Sequence, residues 1–223
     1  MSFIGRSSDW QMAPLRLVVV ERHKSVINLR SRAGRRYSVV TKGEDMGPRS
    51  ILSKRLPDWN VGEEVMVFAE ALPVCYDPEI PKTPPSRRWR PLWFEWLDFL
   101  AEPPLDVVGK ELAKGDLSSV AGLGPGLTPA GDDLLAGYMA ATKLRGETVP
   151  AQIFPKMDTT TWLSFDILRD AFAGLVWRCI KDLCDALAGE GVSLLEESLT
   201  SCLAMGHTSG RAYLAGMALG FEA

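Results

Sequence analysis

A chain of 223 residues carrying 25 Lys and Arg against 28 Asp and Glu, net charge −3, is long enough to bury a full core. It lacks the basic surplus that would make nucleic acid its main partner. It has no apolar run of membrane-spanning length and no signal-peptide succession at its N-terminus, so a cytoplasmic protein is expected. Its four cysteines, Cys75, Cys179, Cys184 and Cys202, show no Cys-x-x-Cys spacing and fit reduced thiols better than a disulfide frame or a zinc site. With His23 and His207 the only histidines, a three-histidine metal centre within one chain is excluded.

Residues 15–72 alternate apolar and polar side chains in short runs, Leu15–Val20, Ser25–Arg30, Tyr37–Thr41 and Glu64–Ala69, which predicts strands of a small antiparallel sheet or barrel over residues 1–75. The local cluster Arg30, Arg32, Arg35 and Arg36 suits a solvated hairpin. Residues 76–90 are crowded with proline and arginine and read as a connection. From Trp93 the apolar spacing turns helical, and segments 91–101, 104–114, 129–145, 160–173, 175–188, 193–205 and 209–221 are expected as helices. Basic residues outnumber acidic ones by 16 to 10 over residues 1–90, whereas residues 91–223 carry 9 basic and 18 acidic. The fold class is therefore α+β, a β-rich domain (1–75) followed by a mainly helical one (91–223).

The segment Gly122-Leu-Gly-Pro-Gly-Leu-Thr-Pro-Ala-Gly-Asp-Asp133 leaves few side chains for a core and reads as a ligand loop. Thr128 is a natural N-cap and Pro129 a natural first residue for the helix that follows. Backbone N–H groups at such a helix start attract anions, and Gly124, Gly126 and Gly131 let a phosphate or carboxylate approach closely. Asp132 and Asp133 would repel that anion unless a divalent cation such as Mg²⁺ bridges them to it, or unless they accept hydrogen bonds from an amide or hydroxyl of the ligand. The plainer alternative is that Thr128 caps, the aspartates complement the helix dipole and the glycines turn the chain. The loop is no P-loop and no dinucleotide fingerprint.

Gly206-His207-Thr208-Ser209-Gly210-Arg211 opens another helix with a titratable ring, two hydroxyls and a guanidinium, where Thr208 or Ser209 can cap. In the Thr159-Thr160-Thr161 run one threonine should cap the next helix, leaving Thr160 and Ser164 to present hydroxyls. A Ser164–His207–Asp132 triad has no nucleophile elbow to support it. Small residues at Ala136, Gly137, Ala140 and Ala141, and at Ala212, Ala215, Gly216 and Gly220, would let two helices pack closely and set their N-terminal loops side by side.

The glycine loop, the Thr-Thr-x-x-x-Ser run at 159–164 and the Gly-His-Thr-Ser-Gly-Arg segment at 206–211 together resemble the AllH-like family. Arg22-His-Lys-Ser-Val-Ile-Asn28 and Gly47-Pro-Arg-Ser-Ile51 are similar to family segments with less specificity. The resemblance implies a subunit of oxamate carbamoyltransferase, acting with FdrA-like and AllG-like proteins in allantoin and purine catabolism to exchange a carbamoyl group between oxamate and phosphate. On that reading Asp132, Asp133 and His207 are catalytic, while Gly124, Gly126, Thr128, Gly131, Thr160, Ser164, Thr208, Ser209 and Arg211 bind the small anionic substrate, whether phosphate, carbamoyl phosphate or an oxamate-like molecule. A homo-oligomer is compatible with this. Two alternatives stay open: a metal-dependent phosphoryl-transfer enzyme or hydrolase with Asp132 and Asp133 as ligands, and a noncatalytic ligand-binding or scaffold subunit.

Overall fold

The computed structural model describes residues 2–189 and 191–223. They fall into two compact units, one running to Glu79 and including Val176–Arg178, the other made of Ile80–Leu175 and Cys179–Ala223. The α+β expectation is met: a sheet comes first and helices follow.

In the first unit β1 (Phe3–Ser7), β2 (Leu15–Arg22), β3 (Val26–Ser31), β4 (Arg36–Val40), β5 (Ser50–Ser53), β6 (Glu64–Val67) and β7 (Val74–Tyr76) form one sheet in the order β6-β2-β3-β4-β5-β1-β7. The run β6-β2-β3-β4 is antiparallel, with short turns joining β2 to β3 and β3 to β4, whereas β5 joins β4 in parallel and β7 joins β1 in parallel. Alternate residues Leu17, Val19, Ile27, Leu29, Tyr37 and Val39 enter one buried cluster, while Val18 between them is exposed. Trp10 packs edge-on against Tyr37 with ring centroids 5.0 Å apart. All five residues of β4 are buried; its Val40 belongs to a second cluster with Met46 and Tyr76.

Three short strands, β1, β5 and β7, lie outside the sequence expectation. β5 pairs with β1, more than forty residues away in the chain, so no local turn signal announces either strand. The chain also returns to this unit late. Val176 N–H donates to the Pro78 carbonyl at 2.9 Å and Arg178 N–H to that of Met46 at 2.9 Å. The Trp177 indole occupies the space that a side chain at Gly47 would fill and lies under the Arg36 guanidinium at 5.2 Å. Helix formation expected from residue 175 therefore starts only at 178.

In the second unit the helices are α1 (Arg90–Asp98), α2 (Asp106–Leu112), α3 (Ala130–Leu144), α4 (Trp162–Ala173), α5 (Arg178–Ala188), α6 (Val192–Leu203) and α7 (Ser209–Glu222). Every residue of α3 except Tyr138 and Lys143 is buried, which marks it as the central helix. α7 lies parallel to it. A Cβ at Gly137 would overlap the Tyr213 carbonyl, one at Gly216 the Leu134 carbonyl and one at Gly220 the Tyr138 carbonyl, so the small-residue faces read from the sequence do bring the two backbones together. Arg145, just past the end of α3, donates through Nη1 to the Gly220 carbonyl at 2.7 Å and the Ala223 carbonyl at 3.0 Å, placing a cation at the C-terminal end of α7, where the dipole favours one. α1 closes on α7 through Trp93 and Phe221, centroids 4.6 Å apart. α5 buries Ile180, Leu183, Cys184 and Leu187 at helical spacing.

Gly216→Ala tests the α3–α7 contact. In an exposed helix this change would stabilise by about 1 kcal/mol; here it is expected to destabilise by about 3 kcal/mol, because one backbone must move off the other. Urea denaturation of the two proteins reads the sign.

Candidate functional site

The parallel packing sets the starts of α3 and α7 beside each other, and the segments singled out from the sequence gather there in part. Pro129 occupies the N-cap position of α3, and no side chain caps that end. Thr128 is thus not the cap and Pro129 not the first helical residue. The physical reason is that main-chain carbonyls already take the first-turn donors: Gly131 N–H bonds to Leu123 O at 2.9 Å, and the N–H groups of Asp132 and Asp133 both reach Pro129 O, at 2.9 and 3.1 Å. The exposed stretch of the loop is Gly124–Leu127. Among the described residues the N–H groups of Gly124, Gly126 and Thr128 make no backbone hydrogen bond, so the donors open to an anion sit in the loop and not in the first helical turn.

Asp132 is 1% exposed and is fully engaged. Its Oδ1 accepts the Gly122 N–H at 2.8 Å, and its Oδ2 accepts the Ser164 hydroxyl at 2.7 Å together with the Thr160 hydroxyl. Gly122 sits at φ 76 against the Thr159 carbonyl, where a Cβ would overlap it; only glycine combines that backbone with that approach. Thr161 is the threonine that caps α4, accepting Ser164 N–H at 3.0 Å while donating to the Leu127 carbonyl at 2.5 Å. The 159–164 run thus ties both limbs of the glycine loop to the start of α4.

Asp133 faces the other way, toward α7. It is 3% exposed, and its Oδ2 has no hydrogen-bond partner among the described residues. Burial pushes its carboxyl up from the ordinary 3.8 to about 7; the Ser209 hydroxyl works against that shift, and the neighbouring Asp132 charge adds to it. Thr208 is the N-cap residue of α7 without a side-chain capping bond. His207 is exposed. Arg211 pairs with Glu102 at 3.1 Å and stacks on Phe99, so its guanidinium is engaged away from the aspartates. Of the residues expected to bind or react, Asp132, Thr160 and Ser164 form one cluster, Asp133 and Ser209 a second beside it.

Residues 120–221 match the family model of oxamate carbamoyltransferase subunit AllH. No curated protein and no solved structure matches the chain. The AllH match begins just before the glycine loop and encloses the 159–164 run and the start of α7, whereas the segments 22–28 and 47–51 lie outside it. Its name describes a subunit, one component of a multi-protein enzyme.

Among the described residues no group of three or more His, Cys, Asp or Glu side chains is arranged to hold a metal ion, and no helix is long and apolar enough to cross a membrane. A metal shared by Asp132 and Asp133 would have to displace one N–H and two hydroxyl donors from Asp132. The sequence alone did not separate the two aspartates: both are adjacent carboxylates in a first turn, and only the 100° step between helical neighbours turns one toward α4 and the other toward α7.

Two substitutions separate their roles. Asp132→Ala strands one buried and two part-buried donors and is expected to destabilise by about 2–3 kcal/mol. Asp133→Asn should act in the opposite direction. Between pH 4 and 7 the folded state holds a proton on Asp133 that the unfolded chain has released, so the wild-type stability falls through that window as pH rises. The variant is expected to gain on wild type from pH 4 to 7, by about 4 kcal/mol at most, and to keep a constant lead above it. Thermal melts from pH 4 to 9 check both; a lead that does not grow with pH would contradict the assignment to Asp133.

Proposed function

We propose that this chain is the AllH-like subunit of an oxamate carbamoyltransferase, exchanging a carbamoyl group between oxamate and phosphate to give or consume carbamoyl phosphate in allantoin and purine catabolism. The single observation that carries the proposal is that the match to the AllH family spans residues 120–221 and so contains the open loop and the buried Asp133 carboxyl, whose Oδ2 has no hydrogen-bond partner among the described residues. A cytoplasmic location suits such chemistry and the free thiols of the four cysteines.

The substrate's two ends differ in what they ask of a protein. Phosphate or carboxylate oxygens need N–H donors, which Gly124, Gly126 and Thr128 offer from an exposed loop beside the start of α3. The amide end needs an acceptor, which Asp133 offers. His207, exposed on the segment before α7, supplies a titratable ring next to the same helix start, and Gly131 lets the loop close over Val120, whose carbonyl a side chain would meet. Stabilising the charge that moves onto phosphate oxygen as the carbamoyl carbon is released is the main catalytic contribution expected of such a site. FdrA-like and AllG-like proteins are the proposed partners.

The test is reconstitution. The chain is co-expressed with FdrA-like and AllG-like subunits, and phosphate release from carbamoyl phosphate is followed with and without oxamate. Oxamate-dependent release by the assembly, reduced at least about tenfold when Gly126→Val blocks close approach to the loop, is the expected result. Release that ignores oxamate, or that needs Mg²⁺ and no partner, would instead fit a phosphoryl-transfer enzyme or hydrolase.

A further inference from the structure

Asp133 is buried in this region with one carboxylate oxygen, Oδ2, lacking a hydrogen-bond partner among the described residues. Two parallel helices of fifteen and fourteen residues begin on either side of it, and their positive ends should favour a carboxylate. Burial nevertheless prevails, and the group titrates at about 7. Among the described residues no cationic group contributes to its titration. Asp132 precedes it on α3; Ser209 and, one turn further, Tyr213 face it from α7. The Tyr213 hydroxyl is pushed well above its ordinary range by burial first, then by the thiols of Cys184, Cys179 and Cys202 on α5 and α6 and by Asp133 itself. Ser164 on α4 and Thr160 just before that helix are bound to Asp132. A buried oxygen with neither a cation nor a complete set of donors carries a desolvation cost that a ligand donor would relieve.

We infer that Asp133, and not Asp132, engages the amide nitrogen of the substrate and carries the proton that this nitrogen loses on carbamoyl transfer. The inference rests on the carbamoyltransferase reading above. In the transfer step the oxamate amide nitrogen attacks the carbamoyl carbon and an N–C bond forms. The C–O bond to phosphate breaks, phosphate leaves with the electron pair, and the nitrogen's proton passes to Asp133 Oδ2. The reverse step returns it to the departing amide. Asp132 positions the loop and takes no part in the proton's movement. The same arrangement makes Asp133 a selector: ionised, it accepts an amide N–H but repels a carboxylate oxygen put in its place. Oxamate is therefore held in preference to oxalate, which differs from it in having a second carboxylate where oxamate has the amide.

The test uses the assembled enzyme and three probes, inorganic phosphate, oxamate and oxalate, whose binding is measured by calorimetry at pH 6 and pH 8 alongside the carbamoyl-transfer rate. Wild type is expected to prefer oxamate over oxalate by at least about tenfold at pH 8, the difference made by one like-charge contact, with a smaller preference at pH 6. Asp133→Asn should bind phosphate as wild type does, hold oxamate and oxalate within about threefold of each other at both pH values, and lose about 10²–10⁴-fold in transfer rate. Ser209→Ala provides a second reading that does not remove the carboxyl. Without the hydroxyl that lowers the Asp133 titration, the acid limb of the rate profile should move to higher pH, whatever the plateau rate. An Asp133→Asn enzyme that keeps its oxamate preference or transfers within tenfold of wild type overturns the inference, as does an acid limb unmoved in Ser209→Ala. A wild-type assembly that neither binds the probes nor transfers carbamoyl overturns the carbamoyltransferase reading itself, and this inference with it.

Discussion

The backbone contact between α3 and α7 is the constraint on which the rest of the helical unit depends. Parallel helices at such short range align their dipoles, an arrangement that repels unless charge is placed at the ends. Arg145 meets the carbonyls at one end. At the other end the positive poles coincide, and two aspartates occupy the first turn. The glycines that permit the contact, Gly137, Gly216 and Gly220, therefore do more than save space: they bring two positive helix ends together beside the buried aspartates.

The glycine loop would be expensive to hold in one conformation without external ties, because glycine loses the most backbone freedom on ordering. Asp132 and Thr161 supply those ties from opposite directions. One draws the Gly122 limb toward α4, and the other holds the carbonyl of Leu127. Between these anchors only the stretch 124–127 remains exposed. A loop pinned at both ends with its middle open has its backbone donors fixed in place, which under the proposed function lowers the ordering cost of binding.

Much of this was legible in the sequence, for specific reasons. The helices announced themselves through 3.6-residue spacing over ten or more positions, and β2, β3, β4 and β6 through alternation flanked by turns. The paired small-residue faces pointed to the α3–α7 contact. What sequence could not supply was anything dependent on direction. Thr128 looked like a cap until the Leu123 and Pro129 carbonyls proved to take the donors it would have served. Thr160 and Ser164 read as substrate contacts, and nothing in the sequence signals that their hydroxyls donate to Asp132. Arg211 reads as a substrate contact, and nothing in the sequence signals its pairing with Glu102, more than a hundred residues earlier. Each of these outcomes is decided by a partner distant in the chain, and local pattern carries no record of it.

The return of Val176–Arg178 to the sheet unit means that neither unit is a continuous stretch of polypeptide. The main chain passes between them after Glu79, after Leu175 and after Arg178. A fragment cut to the boundaries of the family match would carry Trp177 away from the site beside Gly47 that receives it, exposing a large indole and two main-chain donors that otherwise reach Pro78 and Met46. Excision at sequence-defined borders would thus yield a sticky piece of protein, and any shuffling of these units by gene fusion would have to move the whole chain as a single heritable block.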